Sequence, residues 1–194
     1  MEVSKYSTII KSFNHVIITH FSDVKKTRSI KQIKYDKLNN DILEEIDYYD
    51  TGRERRVAKK INKGTHAQSI TDWINVKCYY PNGMLQSNEH LFKNMLSGVQ
   101  YYYHNNGNLR ELSHHLVVKN DKTNVYSYAG IDGTQKIYAE YDDNRLIIES
   151  KFIKGKEVEK IVLNKNGNVI SHSTFHCNGK YRDTIDIASK QWLN

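Results

Sequence analysis

Residues 79–85 read Tyr79-Tyr80-Pro81-Asn82-Gly83-Met84-Leu85, and residues 102–109 read Tyr102-Tyr103-His104-Asn105-Asn106-Gly107-Asn108-Leu109. The second copy carries one inserted residue, and its glycine follows the first by 24 positions. Asn-Gly is the strongest short hairpin signal, because a type I′ turn needs positive φ at both central residues. Glycine adopts that conformation freely and asparagine tolerates it. Each copy therefore predicts two strands joined by a turn, with a tyrosine pair on the incoming strand. Between the copies, Leu91-Phe92-Lys93-Asn94-Met95-Leu96-Ser97-Gly98 reads as a second strand and turn, completing a two-strand unit. Tyr48-Tyr49-Asp50-Thr51-Gly52 is a third, weaker copy. Repetition on this scale points to hairpins that stack on their neighbours.

The same punctuation continues outward. Asn166-Gly167 and Asn178-Gly179 repeat the dipeptide, while Asp132-Gly133, Lys63-Gly64 and Lys154-Gly155 extend the set of turns. From Gly133 onward, turn candidates at Gly133, Asn144, Gly155, Gly167 and Gly179 are 11 or 12 residues apart, the spacing of an antiparallel meander. Segments 136–141, 146–152 and 158–163 alternate and are rich in β-branched and aromatic residues, so each reads as one strand. Residues 1–45 contain no glycine or proline and form a distinct segment. Within it, 16–21 and 30–35 read as strands, and 38–46 as a strand or one short helix. An open meander exposes unpaired backbone at its edge, so this segment is expected to cap the repeats that occupy 46–194.

The pattern Tyr-Tyr-x-Asn-Gly-x-Leu, a charged strand, Phe-Lys-Asn-x-x-x-Gly and a return to Tyr-Tyr-Tyr resembles the MORN-type repeat. It resembles more closely the variant repeat of the YwqK-family antitoxins. The resemblance is clearest over 76–112, with degenerate copies over 46–75 and 126–180. It implies a mostly β fold, a repetitive antiparallel hairpin meander forming an elongated or curved sheet. It also implies a protein that binds and neutralises a cognate toxin.

Composition agrees with a β-rich chain. Of 194 residues, 38% are hydrophobic and 26% charged, with 14 tyrosines and a single proline, which excludes disorder throughout. Lys and Arg exceed Asp and Glu by 29 to 22, a net charge of +7 that bears on partners and not on fold. The excess is spread along the chain: residues 1–75 hold 14 basic and 10 acidic residues, and 76–194 hold 15 and 12. Polar residues interrupt the apolar clusters of the first 22 residues before signal or membrane length is reached, so the expected location is the cytoplasm. Cys78 and Cys177 lack metal-ligand spacing and read as two unpaired thiols in a reducing compartment, with a disulfide between them as the weaker alternative.

No nucleophile elbow, P-loop, HExxH or GxGxxG pattern occurs, and the chain reads as a non-enzyme without cofactor or metal. His114 and His115 are adjacent, so on a strand they face opposite ways and read as ordinary surface residues. His172 and His176 stand roughly 13 Å apart on an extended strand, too far for one ion. Asp142-Asp143-Asn144 lacks the later ligands of a calcium loop. Glu44 with Glu45, and Asp183 with Asp186, have no third group to position a reaction.

Two features point to binding. Arg53, Arg55, Arg56, Lys59, Lys60 and Lys63 place six cations and one anion within eleven residues, a cluster that suits phosphates or a protected, solvated edge strand. Alternation splits Arg53 and Arg55 from Arg56. Tyr80, Tyr101 and Tyr103, with Arg110, form the second feature, since tyrosine offers large contact area at small entropic cost. Two of the three tyrosines 101–103 are expected to pack against neighbouring units. These residues are the expected partner contacts. The expected partner is a toxin or effector protein with an acidic surface; nucleic acid, or an anionic membrane surface, is the alternative.

Overall fold

The structure is a computed structural model that describes residues 6–23, 25, 28–38, 40–61, 73–140, 145–176 and the backbone of 181–186. The chain divides into two compact units, residues 1–93 and 94–194. Unit 1 contains β1 (Ser7–Lys11), β2 (His15–Phe21), β3 (Ser29–Asp36), β4 (Ile42–Tyr48), β5 (Glu54–Lys60), β6 (Trp73–Tyr79) and β7 (Leu85–Phe92). Unit 2 contains β8 (Met95–Leu96), β9 (Gly98–Tyr103), β10 (Leu109–Asn120), β11 (Val125–Tyr138), β12 (Leu146–Ile153), β13 (Lys156–Leu163), β14 (Val169–Phe175) and β15 (Tyr181–Asp186). No helix occurs among the described residues, and segment 38–46 supplies strand β4.

In unit 1 each strand pairs antiparallel with the next, β1 through β7. In unit 2 the same holds from β9 through β15. The fold is thus the antiparallel hairpin meander that the turn spacing predicts. Direct partners share a face, so the register assembles rows of side chains across strands. In unit 1 one row runs Ile9, Ile18, Ile33, Glu45, Ala58, Val76. Ile18, Ala58 and Val76 in that row are buried, as are Tyr35, Val57 and Phe92, the last with its ring against Trp73. In unit 2 the corresponding central row runs Gln100, Ser113, Gln135, Ser150, Lys160, Ser173.

The turns correct the expected geometry. At Tyr80–Met84, the Gly83 N–H donates to the Tyr80 carbonyl and the Tyr80 N–H to that of Met84. The same two bonds close 49–53, 104–108 and 164–168. Only the glycines of these turns have positive φ; Asn82, Asn106 and Asn166 do not. Each is therefore a wider turn closed by a left-handed glycine, the three-residue-loop class, and not type I′. The asparagine serves instead as an acceptor: Asn82 Oδ1 takes the Met84 N–H at 3.0 Å, and Asn106 Oδ1 the Asn108 N–H at 2.9 Å. Positive φ at two consecutive residues occurs at Lys93-Asn94 and Lys154-Gly155.

Gly133 is not a turn. It lies inside β11, where the register against β10 jumps from Ser113–Gln135 to His115–Ile131, so β11 carries extra residues as a bulge. The turn of that hairpin is 121–124, which has no glycine. There Asn120 Oδ1 accepts from Lys122 N–H and Asn124 takes φ of 56°. The turn candidates at Gly64, Asn144 and Gly179 lie outside the described residues.

Candidate functional site

The cationic segment falls on β5 and the turn before it, and its alternation distributes the charges. Arg56 and Lys60 share one face with Ala58; Lys59 shares the other with Val57. Arg56 stands directly across from Asp47, which stands across from Lys31. The Arg56 guanidinium lies 3.4 Å from Glu45 and 3.6 Å from Asp47, and the Lys31 ammonium lies 2.8 and 4.0 Å from the same carboxylates. Two cations and two anions thus neutralise one another over three strands. On the opposite face Lys59 meets Glu44 at 2.8 Å, and that hydrogen bond and charge raise the lysine's pKa. Lys60 meets Asp41 at 2.6 Å. Arg53 donates to the Pro81 carbonyl at 3.1 Å, tying the 49–53 turn to the 80–84 turn. Arg55 is exposed, and Lys63 lies outside the described residues.

Around Val57 and Lys59, side chains Glu44, Glu54, Asn75, Lys77 and Tyr79 line a shallow concavity. Burial first, then the charge of Glu54, raises the pKa of both Tyr48 and Tyr79, so each phenol stays protonated and able to donate. Asn75 Nδ2 donates to Asn88 Oδ1 at 2.7 Å and to the Glu89 carbonyl at 3.1 Å, holding one wall. The lining mixes both signs of charge. Among the described residues no cluster of His, Cys, Asp or Glu could hold a metal.

The tyrosines divide by face. Tyr101 and Tyr103 stand across from Leu112 and Leu109, while Tyr102 stands across from Glu111 on the other side. Arg110 is the extra residue of the bulge between Leu109 and Glu111, and its guanidinium sits 5.7 Å from the Tyr102 ring. It therefore joins the middle tyrosine and not Tyr101 or Tyr103, both of which are half-buried. Tyr80 opens its turn and is likewise half-buried. The preceding tyrosine pair has a structural use: the Tyr49 hydroxyl donates to the Tyr79 carbonyl at 2.7 Å, binding one copy of the motif to the next. The Arg53–Lys60 group belongs to unit 1 and the Tyr101–Arg110 group to unit 2.

The adjacent histidines do face opposite ways, but His115 is not on the surface. It is buried, with Nε2 2.9 Å from the Ser113 hydroxyl and Nδ1 2.6 Å from the Tyr128 hydroxyl, its ring stacked on that of Tyr128. Desolvation lowers its pKa. A Ser–His pair at this distance has nucleophilic geometry, yet Ser113 is wholly inaccessible, so the chain of hydroxyl, imidazole and phenol is a structural link. His114 Nδ1 lies 2.7 Å from the Asp132 carbonyl. His172 bonds Glu159 at 2.9 Å, and Glu159, also bonded by Lys151, has its pKa held low, by Lys151 first.

Sequence reasoning passed over Phe13 and Leu38, which are 92% and 96% exposed. Phe13 occupies the β1–β2 turn and Leu38 the β3–β4 turn, and the Lys37 N–H donates to the Asn14 carbonyl, linking the two turns side by side. Ile10 (62% exposed) and Ile42 adjoin these turns in sequence, as do the exposed Lys11 and Lys37. The legible signal was a lone large apolar residue inside a polar turn, Ser12-Phe13-Asn14 and Lys37-Leu38-Asn39. No described helix is long and apolar enough to cross a membrane. Comparison with protein-family models and with curated proteins finds no match.

Proposed function

We propose that the chain is a non-enzymatic protein-binding module that neutralises a cognate toxin or effector by direct contact, in the manner of an antitoxin or immunity protein of the cytoplasm. The observation that carries the binding reading is the pair of bared apolar side chains, Phe13 and Leu38, on two bonded turns beside Lys11 and Lys37. Large apolar groups held in water without covering atoms serve as anchors, and flanking lysines favour a partner socket rimmed by carboxylates. The antitoxin assignment rests on the repeat resemblance over 76–112. Nucleic acid is disfavoured as partner because Arg56, Lys59 and Lys60 each pair with a carboxylate, so that among the described residues of that segment three of the five cations are already matched by charge.

The test is affinity capture of the tagged chain from its native cells after nuclease treatment, washed with rising salt, beside the Phe13→Ser/Leu38→Ser variant. One stoichiometric protein that survives high salt with the wild type and is lost with the variant is the expected result. Retention of nucleic acid alone, released by salt, overturns it.

A further inference from the structure

We propose that two copies of this chain pair through β1, antiparallel and in register about Ile9, to form a closed two-fold dimer. β1 is the outermost described strand of unit 1, with β2 on its inner side. Its backbone orientation follows from two hydrogen bonds: the Tyr6 carbonyl accepts from Phe21 N–H, and the Ser12 N–H donates to the His15 carbonyl. Even-numbered residues thus turn their polar backbone groups toward β2, and strand alternation directs those of Ser7, Ile9 and Lys11 outward. An edge strand normally blunts such groups with proline, a bulge or a mid-strand charge. Ser7-Thr8-Ile9-Ile10-Lys11 has none of these within it, and its pairing with β2 is unbroken.

The outward residues of β1 are best matched about Ile9. With the two-fold axis at Ile9, Ser7 of each copy meets Lys11 of the other and Ile9 meets Ile9, so no charge faces a like charge and the apolar side chain meets its own kind. Shifting the axis to Lys11 sets ammonium against ammonium, and shifting it to Ile10 sets each Ile9 against a lysine. Charge and apolar matching together favour the register about Ile9. Ile9 is 46% exposed, and it continues the row through Ile18 and Ile33. Pairing would join that row to its symmetry mate across six strands and cover both Ile9 side chains. An isologous contact of this kind closes on itself, whereas pairing β1 with a different edge of a second copy would propagate.

Light scattering coupled to size exclusion, on the full chain over a range of concentrations, should give twice the 22.7 kDa chain mass. Ile9→Lys sets two like charges at the axis and should return the mass to one chain with the strand signal in circular dichroism unchanged. Register is read separately by cysteine cross-linking: Ile9→Cys should cross-link to itself, and Ser7→Cys should cross-link to Lys11→Cys and not to itself. A wild-type monomer at every concentration, growth beyond the dimer, or a dimer that persists in Ile9→Lys overturns the proposal. Failure of this dimer leaves toxin binding through Phe13 and Leu38 standing, because neither side chain belongs to β1.

Discussion

The least accessible side chains of unit 1 are mainly apolar, led by Val76 at 3% and Ile18 at 4% exposure, with Val57, Ala58, Phe92 and Tyr35 behind them. In unit 2, among the described residues, the buried positions are polar: Gln100 and Ser113 at 0%, Ser150 at 3% and His115 at 7%. The topology is the same meander, so the difference lies in how each unit specifies its centre. Burial of apolar surface is non-directional, and in unit 1 it tolerates a change of shape at a cost set by area and cavity. A buried polar row is directional. Gln100 Nε2 donates to the carbonyls of Ser97 and Gly98 and Ser113 bonds His115, contacts made close in sequence, while His115 bonds Tyr128 across β10 and β11, so a register slip between those two strands would part the imidazole from its phenol.

A second contrast concerns backbone. In unit 1 the glycines Gly52 and Gly83 have open surroundings: a Cβ at Gly52 would meet nothing, and one at Gly83 only the Arg53 guanidinium at 4.0 Å. In unit 2 the Lys154-Gly155 turn lies against the bulged part of β11. The Gly155 N–H donates to the Ile131 carbonyl, and the Lys154 N–H to Asp132 Oδ1. A Cβ at Gly130 would lie 2.6 Å from the Gly155 Cα, and one at Gly155 would lie 2.5 Å from the Ala129 carbonyl oxygen. Both positions also have positive φ. Gly130→Ala therefore combines strain with a backbone clash that no side-chain rotation relieves, and the expected loss is on the order of 4 kcal/mol. Gly83→Ala carries only the strain of positive φ and should cost about 1 kcal/mol. Equal unfolding midpoints for the two variants by chemical denaturation would remove the contrast.

Unit 1 should respond most to the loss of apolar volume. Ile18→Ala leaves a cavity beside Ile33 and Ile9 in its row, with an expected loss of about 3 kcal/mol in denaturant unfolding. Amide exchange should locate the weakened protection in β1–β4 while β12–β14 stay protected. Uniform weakening throughout the chain would mean that the two units do not unfold separately.

The contrast between the units was only partly legible in the sequence. Local signals carried well: Gly52, Gly83, Gly107 and Gly167 all close turns in the positive-φ conformation, because that preference depends on the residue itself. Asp132-Gly133 has the same local chemistry yet sits within a strand, since pairing with β10 and the approach of the 154–155 turn override it. The five cations of 53–60 were legible as a cluster, but Glu44, Glu45, Asp47 and Asp41, which neutralise three of them, come from the adjoining strand and turn and are revealed only by register. His115 likewise reads as surface in a polar segment. Its burial depends on Ser113 two residues before it and Tyr128 across the hairpin.

His115 also supplies the finest test of the polar centre. Its pKa is lowered from 6.5, chiefly by desolvation, against a smaller raising effect of Glu111 and with a small further lowering from His114. Once unfolded, the imidazole binds a proton as pH falls through about 6.5. The folded state resists that proton until lower pH. Between the two values the unfolded chain binds more protons, so stability falls on acidification and is recovered above pH 6.5. The change should be smaller than that of Ile18→Ala and should appear first as lost amide protection in β9 and β10. His115→Gln removes the titration and should flatten this part of the stability profile, at a constant offset from the altered hydrogen bonds to Ser113 and Tyr128. A His115→Gln profile parallel to that of the wild type from pH 7 to pH 5 would show that the acid sensitivity arises elsewhere, and that the buried polar row of unit 2 is held by its hydrogen bonds without regard to the charge of its imidazole.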